Sequence, residues 1–179
     1  IGEIRDAETA TTAVHAGLTG HLVLATLHTN DAPSAVIRLR DMGLDAFAAA
    51  AVLKGVVAQR LVRRLCDRCA IPVDAATLPA GLSPPSDHPR PVLPRGAVGC
   101  PSCNGTGYPG RLPVLEILPV TVEVARVIGN GGAPAALHAA ANAAGMRSLW
   151  ESGRERVWDG LTTLAELDRV LGERRPTVE

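Results

Sequence analysis

An α/β fold, interrupted by a cysteine-rich metal element and closed by a helical region, is the expectation for this chain of 179 residues. Three observations carry it. A continuous apolar run, Leu22–Leu27, lies between two helix-like stretches, as a strand buried on both faces of a parallel sheet would. Two Cys-x-x-Cys pairs stand thirty residues apart. Beyond residue 120, short apolar stretches alternate with glycines, the pattern of several short helices.

The elements follow in order. Ile1–Asp6 reads as the end of a strand entering a loop, and Ala7–Leu18 as a helix stopped by Gly20. Leu22–Leu27 is the next strand. Asp31 should cap a helix with Pro33 in its first turn, running to about Met42 and ended by Gly43. Asp45 should begin a long helix through Leu65, with Leu53, Val57, Leu61 and Leu65 along one face. Arg60, Arg63, Arg64 and Arg68 then form a basic cluster. It reads either as a solvated helix face, as a subunit interface or as a contact for acidic lipid head groups. Seven prolines between Ile71 and Pro94 predict a mobile loop, and His88 within it receives no role. Arg111–Leu118 is a candidate edge strand because of Pro113. Residues 120–172 should be helical in three or four pieces broken at Gly129–Gly132, Gly145 and Gly160. Thr163 and Glu166 make a capping box for the last piece, and 173–179 should fray. The expected organisation is 1–65, 66–110 and 111–179.

Composition excludes several function classes. Lys+Arg and Asp+Glu are both 18, so nothing favours a nucleic-acid binder working by phosphate neutralisation. The only aromatics are Phe47, Tyr108, Trp150 and Trp158, too few for base-stacking platforms. The core must be mostly aliphatic. The longest apolar stretch, Ala46–Ala58, is broken by Lys54 and Gly55, so no transmembrane helix is expected. With no cleavable signal and Ile at position 1, the chain reads as a fragment of a longer protein.

The cysteines carry the clearest chemistry. Cys66 and Cys69 form one pair, Cys100 and Cys103 the other, and two such turns supply the four sulfurs of a tetrahedral zinc site. Glycines after the second pair let backbone amides turn towards the sulfurs. With all four ligands from protein, the metal should be structural. The alternatives are two disulfides or a redox pair. Elsewhere, two polar residues fall at strand ends, where open α/β sheets bind ligands: Glu3 and His28. If the two strands are parallel neighbours, both face one crevice. The carboxylate could then orient or deprotonate a water attacking a phosphate, and the imidazole could hydrogen-bond a terminal phosphate. His21, seven residues earlier, would lie about 23 Å away along an extended strand and suits a structural or subunit-contact role.

Together these motifs resemble the type II secretion and type IV pilus ATPase family. Ile1-Gly2-Glu3-Ile4-Arg5-Asp6 resembles the end of its Walker B strand, and Gly20–Asn30 its histidine box. Ala58–Cys66 is similar to the long helix entering its tetracysteine element. Cys100–Arg111 (CPSCNGTGYPGR) is similar to the second half of that element, and Thr162–Val170 to its closing helix. The resemblance implies the carboxyl half of a RecA-like P-loop ATPase domain, working as a homo-hexamer. That hexamer would use ATP with Mg to drive pseudopilus assembly on platform proteins, on the cytoplasmic side of the inner membrane. Glu3 would then be the water-activating glutamate, His28 the histidine near the terminal phosphate, and His21 the other member of the box. Cys66, Cys69, Cys100 and Cys103 would hold zinc.

Arg38–Gly43 and Gly55-Val56-Val57 resemble the secretion branch more than the pilus-extension and DNA-uptake branch. No Gly-x-x-x-x-Gly-Lys-[Ser/Thr] loop is present, and Lys54 is the only lysine. The family's phosphate loop, acidic box and arginine fingers would lie upstream of Ile1, so the chain alone should neither bind ATP tightly nor hydrolyse it. A different class, a non-catalytic zinc-binding interaction module, is suggested by the likeness of Cys100–Gly107 to a repeat of the Hsp40-type chaperones. That reading leaves Ile1–Asn30 without a role.

Overall fold

A computed structural model describes residues 1–74, 78 and 93–172. Most of the proline-rich loop, His88 and the 173–179 tail lie outside the described residues. In chain order the elements are α1 (Ala7–Leu18), α2 (Ala32–Asp41), α3 (Ala46–Val52), β1 (Gly55–Arg64), β2 (Ile71–Pro72) and β3 (Arg95–Gly96). They continue with β4 (Gly110–Pro119), α4 (Val122–Gly129), α5 (Pro134–Ala143), α6 (Leu149–Trp158) and α7 (Leu164–Leu171). β1 pairs with β4, and β2 with β3 antiparallel. The chain forms two compact units. One comprises Ile1–Ala58 and Glu116–Arg147, the other Gln59–Leu115 and Ser148–Glu179.

The first unit is helices around an aliphatic core. Asp6 caps α1 by accepting the Thr9 N–H at 2.8 Å. Asp31 caps α2 by accepting the Ser34 N–H at 2.7 Å, with Pro33 in the first turn as expected. Such caps contribute about 1 kcal/mol each. Val14, Val36, Leu39, Leu118, Val124 and Ile128 are among the buried side chains they bring together. Phe47, the unit's only aromatic, is 77% exposed, so aliphatic burial alone builds this core. Of the three or four helical pieces expected after residue 120, four appear, α4 to α7.

Two expectations fail here. The long helix from Asp45 to Leu65 is a seven-residue helix, α3, followed by the ten-residue strand β1. In β1, Ala58 and Val62 are buried while Val57 and Leu61 are 59% and 48% exposed. A spacing of four residues is even, so it fits the two-residue period of a strand as well as a helical turn. β-branched Val56, Val57 and Val62 and the break at Gly55 favour the strand. The second failure is Leu22–Leu27. It forms no regular strand and is not buried on both faces: Leu22 is 84% and Leu24 75% exposed, while Val23 and Leu27 pack on the core.

The second unit has a core of Val62, Val114, Leu149, Val157 and Leu167, with Trp150 packed against it. Ser148 and Glu151 make a full capping box at α6. The box expected at α7 forms only in part. Thr163 Oγ1 accepts the Glu166 N–H at 3.2 Å, but the Glu166 carboxylate does not return to the cap. Its side chain is fully buried and accepts from the Arg63 backbone N–H (2.9 Å), Arg63 Nε (2.8 Å) and Arg169 Nε and Nη2 (both 2.7 Å). Arg169's hydrogen bonds hold the Glu166 carboxyl well down, at about 2, against the upward push of burial, and Arg63 lowers it further. The basic cluster is therefore neither helical nor a uniform free face. Arg63 also lies over the Tyr108 ring at 4.3 Å, Arg64 pairs with Asp67 at 2.8 Å, and Arg68 bonds Ser102 at 2.9 Å.

Candidate functional site

In the first unit, the segments at Ile1–Ile4 and Leu24–Thr26 lie side by side. The Ile1 amino group donates to Leu24 O at 3.0 Å, Ile4 N–H to Thr26 O at 2.9 Å, and Thr26 Oγ1 to Gly2 O at 2.6 Å. The contacts advance along both segments together, so the two run parallel, without a regular ladder. This pairing carries Glu3 and His28 to one rim, where His28 Nε2 stands 2.9 Å from Glu3 Oε1. Arg5 approaches the other carboxylate oxygen, with Nε at 2.7 Å and Nη2 at 2.5 Å. The Arg5 hydrogen bond, more than the charges of Arg5 and His28, holds the Glu3 carboxyl below its usual range, against desolvation. Glu3 is thus an ionised acceptor with both oxygens engaged. Its side chain is 19% exposed, while His28 stands out at 87%. His21 sits apart from this pair, its Nδ1 at 3.1 Å from Thr19 Oγ1 at the end of α1.

In the second unit, the four cysteine sulfurs lie within 4.8 Å of one another. Cys66–Cys100 and Cys69–Cys103 are 3.9 Å apart and Cys100–Cys103 3.8 Å. A tetrahedron of sulfurs around zinc, each about 2.3 Å from the ion, has edges of about 3.8 Å. The donor set and its spacing therefore fit a divalent ion held by four thiolates. All four cysteines are free, at separations far beyond a disulfide bond.

The local sequence builds this clamp. A one-turn 3-10 helix, Pro101–Cys103, leads through Asn104, Gly105 and Gly107 at positive φ. Gly99, Cys100 and Gly107 then aim N–H groups at sulfur, the first at Cys69 (3.3 Å) and the others at Cys103 (both 3.2 Å). Gly99, at φ 106°, has no room for a side chain, because a Cβ would collide with the Gly105 carbonyl. Burial raises the Cys103 thiol, but the Cys100 and Gly107 amides and the neighbouring cysteines outweigh it and bring it to about 6. Burial also lifts Cys69, which goes up to about 11 with its cysteine neighbours despite the Gly99 amide. One thiolate forms readily and repels the next. A cation at the centre removes that repulsion.

Of two structurally central carboxylates, sequence reading gives Glu116 no role and Glu166 only that of a helix cap. Both are buried, at 4% and 1% exposure. Glu116 sits inside the aliphatic run Leu112–Leu118, and a charge at an inward strand position is the signal that could have marked it.

The fold is one shared with solved structures. The chain superposes on the crystal structure of the pilus retraction motor PilT with bound ADP, at a TM-score of 0.64 and 22% identity, over 98% of this chain and 39% of that one. More specifically, residues 1–169 match the model of the type II/IV secretion system protein family, and the chain belongs to that family. It is 50% identical to the type II secretion system protein HxcR of Pseudomonas aeruginosa, over 95% of this chain and 32% of that protein. It is 44% identical to the type IV pilus assembly ATPase PilB of Myxococcus xanthus, over 98% of this chain and 31% of that protein. The chain thus spans about a third of the length of these relatives.

Proposed function

We infer that this chain is the carboxyl-terminal part of a hexameric ATPase that drives pseudopilus assembly and protein export by a type II secretion system. The observation that carries this is the Glu3–His28 pair at 2.9 Å, on the parallel segments of a chain in the secretion family. Bound ATP with Mg supplies the phosphate to be cleaved, and upstream segments would hold it. Glu3, ionised at neutral pH, accepts a proton from a water and fixes its direction of approach. His28 donates a hydrogen bond towards the terminal phosphate and has the exposure to reach it. His21, just beyond the C-terminal end of α1, serves structure or subunit contact. Cys66, Cys69, Cys100 and Cys103 hold zinc as a brace with no open coordination position. The hexamer would bind inner-membrane platform proteins from the cytoplasmic side. Among the described residues no helix is long and apolar enough to cross a membrane.

Pilus assembly is the second reading, because secretion relatives at 42–50% identity and pilus-assembly relatives at 40–45% overlap. The test is ATP turnover by the full-length gene product. Glu3→Gln should lower it by about 100-fold or more. Turnover at the unsubstituted rate would overturn the assignment. The 179-residue chain alone has no phosphate loop and should show no turnover above its Glu3→Gln control.

A further inference from the structure

β4 carries a carboxylate where its pattern calls for an aliphatic residue. Val114, Glu116 and Leu118 occupy alternate, buried positions along the strand. A carboxylate removed from water needs compensating hydrogen bonds. Glu116 Oε1 accepts the Ala32 N–H at 2.6 Å, in the first turn of α2. First-turn amides have no partner within their own helix, and the helix dipole favours negative charge there. Ala32 is itself fully buried, so water cannot take over as acceptor.

The loop bearing His28 is therefore anchored at both ends. Before it, Thr26 is fastened to Gly2 and Ile4. After it, Glu116 grips Ala32, Asp31 accepts from Ser34, and Thr29 Oγ1 donates to Asp31 O at 3.1 Å. His28 itself is 87% exposed, so packing contributes little to its placement and the loop backbone sets it. We propose that Glu116 is a positioning residue: by clamping the N-terminal turn of α2 it holds the loop that sets His28 Nε2 against Glu3. Its consequence for turnover rests on the ATPase reading above, whereas the clamp can be tested without it.

The experiment uses the 179-residue chain uniformly labelled with 15N, so that both the histidine rings and the backbone amides are read. In the unsubstituted chain, Glu3→Gln should move the His28 ring resonances, because the ring touches that carboxylate. Glu116→Leu keeps a similar volume and removes the acceptor. It should abolish the His28 response to Glu3→Gln and speed Ala32 amide exchange by about tenfold or more. Glu116→Gln keeps an acceptor oxygen and should restore both. A residue that merely filled the core would tolerate leucine, so retention of the response in Glu116→Leu overturns the proposal. If that variant does not fold, Ala32→Pro tests the same bond from the donor side, since proline lacks the N–H yet suits a first helical turn. A folded Ala32→Pro chain with an intact His28 response is equally fatal. His28 resonances indifferent to Glu3→Gln in the unsubstituted chain overturn the pairing and the clamp together.

In the full-length protein, Glu116→Leu should lower kcat by on the order of 100-fold with KM for ATP unchanged. A clamp that behaves as described, in a protein whose Glu3→Gln form still turns over ATP, upholds the role of Glu116 and removes the ATPase reading instead.

Discussion

The two sites differ in how much of each this chain supplies. The cysteine cluster is complete within one unit: four sulfurs at tetrahedral spacing, three amides aimed at them, and glycines at positive φ that make the turn. The Glu3–His28 rim faces outward. Its imidazole stands in solvent, and the adjoining Leu22 and Leu24 expose most of their surface. A structural site must be finished to contribute stability. A rim with the catalytic role proposed above would gain from groups exposed to solvent.

That contrast can be broken most forcefully at the metal. Structural zinc sites contribute about 10–16 kcal/mol in isolated fingers, as much as the whole stability of many domains. Cys103→Ser, or stripping with a strong chelator, should therefore unfold the second unit while α1 and α2 keep their helicity, as read by amide exchange. Metal analysis of protein purified without chelators should give about one zinc per chain. Less than about half an equivalent would count against the four-sulfur site.

A smaller effect is expected at Glu166. Its folded value of about 2 lies below the ordinary 4.5, so the stability it contributes is present above pH 4.5 and is lost as pH falls towards 2. The shift corresponds to about 3 kcal/mol. Glu166→Leu should lower the urea-unfolding free energy by about that much at pH 7, and the gap should narrow by pH 3. A gap that persists undiminished at pH 3 would mean that packing, not charge, is what Glu166 supplies.

The least effect belongs to the rim. Arg5 and His28 are mostly exposed, so the polar contacts of Glu3 are screened by solvent and Glu3→Gln should leave the urea-unfolding midpoint nearly unchanged. Metal content should not change. A large loss of stability would make Glu3 a structural residue and erase the contrast between the two sites.

Legibility in the sequence followed the range of the interactions. The cysteine pairs are readable because each ligand pair is local, and the cap at Asp31 for the same reason. The neighbourhood of Glu3 and His28 was readable from strand ends, once the two segments were taken as parallel. What escaped depended on distant partners. Glu166 looked like half of a capping box because its real partner, Arg63, is 103 residues away. The Leu53–Leu65 spacing satisfied two periods at once, and pairing of β1 with β4 decided between them. Leu22–Leu27 had the composition of a doubly covered strand. Among the described residues, however, its backbone hydrogen bonds come from Ile1–Ile4, so Leu22 and Leu24 stay in water while Val23 and Leu27 reach the core.

Gly99 illustrates a cost of such a tight turn. It contributes nothing to the cluster except an amide, yet every other amino acid would drive its first carbon into the carbonyl of Gly105. In a saturation library scored for folded protein, position 99 should read as a blank column beside those of the four cysteines. Tolerance of alanine there would mean that the knuckle can breathe by several tenths of an ångström.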